Sequence, residues 1–376
     1  MPAVCASRDG LLSYDRAMRF VLLLAAVVGC GGGHPAKPDA TGDGAQHGDA
    51  PADVAVDMMI DANPDMPPTL FDTGLCVDRA CTQISPGIYT YTPRFGLWAD
   101  AATKRRWMQL PPGGQIDTSD PDHWVFPIGT KFWKEFTSQD ASGNPVRVET
   151  RFIKHVANTG TQNDWFYVGY QWNTAQDDTT AQPFGANDVD GTQHDIPPRF
   201  QCRECHEGIS SRILGFGAIQ LDAPAAQGDI ALADLVSMGW LTQNPTGSSP
   251  YYPLPGIAGS SAQNSIGYLH ANCGHCHNPQ SQVYQSQNIN MELRLTVGAL
   301  GSLSTTPVYQ TAVDHDATLP IDMLTKRIVT DDPAHSILID RFESPPTSST
   351  HMPFRGSEVI DATADTMLRD WITHIQ

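Results

Sequence analysis

The chain reads as an α+β protein, an antiparallel β-rich region followed by an α-helical region. Three observations carry that reading. Strand-like alternation broken by turn residues fills the part before residue 198, and capped amphipathic helix patterns fill the part after residue 260. The five-residue segments Cys202-Arg203-Glu204-Cys205-His206 and Cys273-Gly274-His275-Cys276-His277 both fall in the second part. The predicted organisation is an export signal over 1–29, a tether over 30–70, a β-rich domain over 71–198 and an α-helical domain over 199–376.

The N-terminal elements are read from charge and hydropathy. Phe20 to Gly29 is an apolar run preceded by Arg16 and Arg19, too short to span a bilayer but of signal-peptide length. It ends in Val27-Val28-Gly29-Cys30, which matches a lipoprotein box and makes Cys30 the lipidated first residue of the mature protein. An ordinary signal with an incidental Cys is the alternative, and Met18 offers a second start. Gly31 rather than Asp after Cys30 points to onward sorting to an outer membrane. The tract that follows has seven Asp against Lys37 alone and is rich in Pro and Gly, which predicts a self-repelling extended linker. Residues 1–30 carry +1 and residues 31–70 carry −6 of the net −18, leaving −13 for the remainder. So acidic a chain has no footprint for nucleic acid and complements a partner with a basic docking face.

In the first folded part, Lys131 to Phe136 is a strand candidate and Gln139 to Asn144 a turn. Val146, Val148, Thr150 and Phe152 then alternate with Arg147, Glu149 and Arg151, as in a half-buried strand. After a second turn over Asn158 to Asn163, Trp165 to Trp172 is apolar on both faces, as in a central strand. An antiparallel meander results. Trp98, Trp107, Trp124, Trp133, Trp165 and Trp172 all fall here and read as core, with a ligand groove or cofactor edge as the other use. Cys76 and Cys81 are close enough to form a small disulfide loop outside the cytoplasm.

In the second part, Ser265 to Asn272 predicts a helix leading into the second Cys/His segment. Asp332-Pro333 predicts an N-cap and first residue of a helix through Phe342, and Asp361 caps a last helix with Ala364, Leu368, Trp371, Ile372 and Ile375 on one face. In a C-x-x-C-H segment the two thiols add to the vinyl groups of one haem, and the His lies beneath the iron. Cys202, Cys205 and His206 therefore predict one c-type haem, and Cys273, Cys276 and His277 a second. A four-thiolate zinc knuckle or a pair of redox dithiols are the alternatives, but neither needs a His after the second Cys. Met352, in His351-Met352-Pro353, is the expected sixth ligand of the second haem, with His351 beside it as the other choice. For the first haem the nearest donors are His194 and Met238, with His123 and His155 reaching in from the β region; an open position is the remaining option. A helix before the motif, a returning Met and a packed last helix make the second half cytochrome c-like.

With these residues placed, the chain resembles a family of bacterial exported di-haem c-type cytochromes, found in some genomes beside a parallel β-helix protein. The resemblance is carried by Leu97-Trp98-Ala99-Asp100-Ala101-Ala102-Thr103-Lys104, Leu110-Pro111-Pro112-Gly113 and Trp124-Val125-Phe126-Pro127-Ile128-Gly129-Thr130-Lys131. Asp195-Ile196-Pro197-Pro198 before the first motif and Gly267-Tyr268-Leu269-His270-Ala271-Asn272 before the second extend it over most of 85–376. It implies haem binding and electron transfer outside the cytoplasm and names no substrate. The expected function is a lipid-anchored periplasmic or surface cytochrome passing single electrons between redox proteins. The alternatives are a di-haem peroxidase or oxidase with an open first haem, and a redox-sensing or binding module.

Overall fold

A computed structural model describes residues 66–286 and 289–375. The expected signal, Cys30 and most of the tether lie outside the described residues. Within them the α+β class holds, with a six-stranded sheet and eight α-helices. No helix among the described residues is long and apolar enough to cross a membrane.

The sheet runs β1 (Tyr89–Thr90), β2 (Thr103–Gln109), β3 (Lys131–Gln139), β4 (Pro145–His155), β5 (Trp165–Trp172) and β6 (Thr179–Ala181). Each strand pairs antiparallel with the next, so it is the expected meander. Turn chemistry sets the hairpins. Asp140 accepts from the amides of Ser142 and Asn144, both at 2.8 Å, between β3 and β4. Asp164 accepts from the amides of Thr159 and Gly160, both at 2.8 Å, before β5. One face of the sheet buries Trp107, Trp133, Phe152, Val168, Tyr170 and Trp172 against Leu70, Leu75 and the Cys76–Cys81 disulfide, whose Cα atoms are 4.9 Å apart. Leu70 is 1 % exposed, and its amide donates to Thr179, so the tether gives way to packed chain before residue 70. Five of the six Trp are core; Trp98 instead donates its indole N–H to the Val359 carbonyl.

The opposite face turns towards the helical part: α1 (Arg199–His206), α2 (Ala218–Leu221), α3 (Leu232–Ser237), α4 (Ser261–Asn272), α5 (Gln282–Ser286), α6 (Pro307–Thr311), α7 (Ile337–Glu343) and α8 (Ala362–Thr373). Met108, Phe132 and Tyr167 of the sheet share one core with Phe216, Leu221, Leu232 and Leu235. That core crosses the predicted boundary at residue 198. A second core joins Ile266 and Leu269 of α4 to Leu368, Trp371 and Ile372 of α8. Ser260 caps α4, which begins at Ser261, four residues ahead of its expected start, and Asp361 caps α8 as expected, accepting from the Ala364 amide at 3.0 Å. The helix expected from Asp332 is broken. Asp332 caps only a 3₁₀ turn, and Ser336 is extended (φ −96°, ψ 118°) because its hydroxyl bonds the Asp332 carbonyl and the Val329 amide. A hairpin of β7 (Asp316–Ile321) and β8 (Leu324–Lys326) had no sequence signal that was read.

Candidate functional site

The two Cys/His segments have the same local form. Cys202 to His206 ends α1, so both thiols lie three residues apart on one side of a helix. Cys273 to His277 makes a helical turn just beyond α4, with the Cys276 and His277 amides donating to the Cys273 carbonyl at 3.1 and 2.9 Å. All four thiols are unpaired, whereas Cys76 and Cys81 are joined. His206 Nδ1 bonds the Arg212 carbonyl at 2.5 Å, which leaves its Nε2 as the ligand atom, the orientation an outer-shell carbonyl imposes on metal-binding His. His277 differs, its Nδ1 being buried without a partner. Burial lowers the His206 pKa to about 3 and that of His277 to about 4, so both rings are neutral at ordinary pH.

Burial also raises the thiols, Cys202 to about 11 and Cys273 and Cys276 to about 12. Protonated thiols are poor redox nucleophiles. No group of three or more Cys, His or acidic residues among the described residues converges as a metal site, so the four thiols do not meet at one point. A haem iron takes four ligands from its porphyrin and at most two from the chain, so it needs no such cluster.

The segments touch through backbone. A Cβ on Gly208 would fall 2.0 Å from the His275 carbonyl oxygen, so only Gly allows the loops to meet. The buried amide of Asn278 donates to the carbonyls of Gly208 (2.9 Å), Gly274 (2.8 Å) and His275 (3.0 Å), clamping one motif to the other. Sequence reasoning missed Asn278, since nothing in its type or spacing marks it as buried. Asn278→Ala is expected to leave these carbonyls without their donor and cost at least about 2 kcal/mol. Chemical denaturation followed by Trp fluorescence checks it; a loss under 0.5 kcal/mol, as roughly expected at an ordinary surface site, would contradict the clamp.

The sheet supplies the other wall, and here the predicted half-buried strand needs correction. Glu149 is fully buried although it alternates with the apolar set of β4. It accepts from Arg151 Nε and from His194 Nε2, each at 2.8 Å. Burial raises its pKa, but Arg151 and His194 outweigh that and hold it below the usual value. This holds His194 Nε2 on a carboxylate, a partner that metal-binding imidazoles also use for the nitrogen not on the metal. Met238 caps the end of α3 with 40 % of its surface exposed. His123 bonds Asp120 near the surface, and His155 bonds the Phe126 carbonyl and stacks on Trp165.

The loop between α7 and α8 carries Met352. Its amide donates to the Arg341 carbonyl at 2.9 Å, which ties the loop back to α7. Its far side is tied to the first motif, where Arg355 donates to Glu204 at 2.9 Å. His351 is 2 % exposed, its Nδ1 held by the Ser344 carbonyl at 2.7 Å and its Nε2 buried without a partner. Comparison with protein-family models, curated proteins and solved structures finds no match for the chain.

Proposed function

We propose that this chain is an exported, lipid-anchored di-haem c-type cytochrome that passes single electrons between redox proteins outside the cytoplasm. The observation carrying the reading is the pair of helical Cys/His turns, each with two unpaired thiols and a His directly after the second Cys, clamped together by Asn278. Cys202 and Cys205 would anchor one haem and Cys273 and Cys276 the other, with His206 and His277 as proximal ligands. Met352 would complete the second site within a cytochrome c-like helical region. When bound, the haem iron cycles between ferric and ferrous states by one electron. The chain's part is to orient the rings, exclude water and keep the sites adjacent through Asn278. The acidic surface suits a partner with a basic docking face and gives nucleic acid no footprint.

The sixth ligand of the first haem would be His194, Met238 or none, and the last case is an open five-coordinate centre of peroxidase or oxidase type. The test is the full chain expressed in a host that exports and matures c-type cytochromes. Intact mass is expected to rise by two haems, and a reductive titration to show two one-electron waves. Four alkylatable thiols with bound zinc would overturn the proposal. A high-spin ferric EPR signal with peroxide turnover would select the open-haem reading over electron transfer.

A further inference from the structure

The sheet face turned to the two motifs carries a row of cations. Arg106 of β2 stands directly opposite Lys134 of β3, and Lys134 directly opposite Arg151 of β4. Like charges in such register repel, and buried cations are costly unless compensated. Arg151 is compensated by Glu149. Arg106 and Lys134 form no salt bridge among the described residues, although Arg106 is only 8 % exposed; Glu149, which acts on Lys134, is already held by Arg151.

Both line a cavity of about 70 Å³ between the sheet, the chain just after the first motif, the end of α4, and Gly274 and His275 of the second motif. Across it stands Arg294, whose Nη2 donates to the Asp122 carbonyl while Nη1 is buried without a partner. Asp122 is the one carboxylate in the lining, and its oxygens accept from the Val297 amide at 2.9 and 3.1 Å. Two guanidiniums and the Lys134 amine therefore face one carboxylate. Burial and the neighbouring Arg106 and Arg151 push the Lys134 pKa well below its ordinary value, so the surplus is one positive charge, and two once an anion restores the Lys134 proton. The space holds a few polar groups and is far too small for a macrocycle. Arg151 acts on the Cys202 and Cys205 thiols, and Lys134 on Cys205, His206 and His275. The row thus begins at the thiols and steps away by about 4.8 Å per strand to Arg106. A porphyrin attached at those thiols has its two carboxylates on the edge away from its thioethers.

We infer that Arg106, Lys134 and Arg294 form the site for the two propionate carboxylates of the haem attached at Cys202 and Cys205. The inference rests on the di-haem reading. Two carboxylates bring the wall to neutrality and give Arg294 Nη1 an acceptor. The sheet is then part of the cofactor site, and its cations raise the potential of that haem by favouring the less positive ferrous state.

The test uses the exported holoprotein, with haems counted by intact mass and potentials measured by spectroelectrochemistry. Lys134→Met and Arg106→Met are expected to keep both haems and to shift the reduction equilibrium of one centre about tenfold towards ferric, about 59 mV for one electron. That centre is the one lost in the Cys202→Ser, Cys205→Ser double variant. Lys134→Arg is expected to leave the potential close to wild type, which a merely structural role for the amine does not predict. Two haems with unchanged potentials in both Met variants would overturn this inference alone, as would a shift confined to the other centre. A saturable effect of inorganic phosphate on the wild-type spectrum, lost in the variants, would overturn it in favour of a free oxyanion. Wild-type protein without haem would overturn the parent reading and this one with it.

Discussion

Replacing Glu149 by Ala is expected to destabilise the folded protein by about 3–5 kcal/mol, the cost of stripping one partner from a buried charge cluster. The carboxylate has no exposed surface and binds Arg151 and His194 at once. Without it, Arg151 stands beside Lys134 and Arg106 on one face of the sheet with no carboxylate of its own. Glu149→Gln retains the shape and one acceptor but not the charge, so it is expected to lie between Ala and wild type. The pH dependence follows from the same pairing. The folded pKa of Glu149 is depressed below its ordinary 4.5, so its contribution is fully present above that value. It is lost as pH falls through the depressed folded value, and the Gln variant should lack that part of the acid destabilisation. Urea denaturation at pH 7 and at stepwise lower pH checks both; a loss under about 1 kcal/mol at pH 7 would mean that the cluster is not what holds this face together.

The parts of the fold that were legible in the sequence are those set by local patterns. The β3–β4 turn, the covered strand β5, the cap at Asp361 and the apolar face of α8 depend on residues close together in the chain, and each appears where the pattern places it. The Cys76–Cys81 bridge is equally local. What was not legible depends on a partner distant in sequence. Arg151 and Glu149 look like the wet side of β4 because alternation says only that they share a face, not what covers it. The covering element is the chain around residue 200, and a buried Arg–Glu–His cluster has the same letters as a solvated one. Asn278 and Gly208 were invisible for the same reason, as their significance comes from two backbones meeting 70 residues apart. Ser336 was misread because a side chain competing for backbone bonds breaks a helix that a capped apolar pattern supports. Of the site, the spacing of thiols and imidazoles was legible because it is local in the chain, whereas the pairing of Glu149 with His194 joins residues 45 apart and has no local sign.

Met352→Ala in the holoprotein is expected to open the axial position of the second haem, converting a low-spin centre to high spin. Axial ligands set haem potentials over roughly 0.8 V, and a thioether lies towards the upper end, so that centre should fall by the order of 0.1 V or more. The first haem should keep its spectrum, because Cys202, Cys205 and His206 are untouched. The loop itself is held independently of the thioether, by the Met352 amide on Arg341 and by Arg355 on Glu204, so the substitution tests ligation and not folding. The adjoining residue makes the experiment decisive. His351 has its Nδ1 fixed by the Ser344 carbonyl and a buried Nε2 with no partner, which is how an imidazole is presented to a metal. If Met352→Ala leaves both haems low-spin while His351→Ala opens one, the imidazole is the ligand and the centre belongs with lower-potential bis-histidine haems. If Met352→Ala alone opens it, the orphan Nε2 lies off the iron, and the second motif is the high-potential end of the pair, with electrons running to it from the haem at His206.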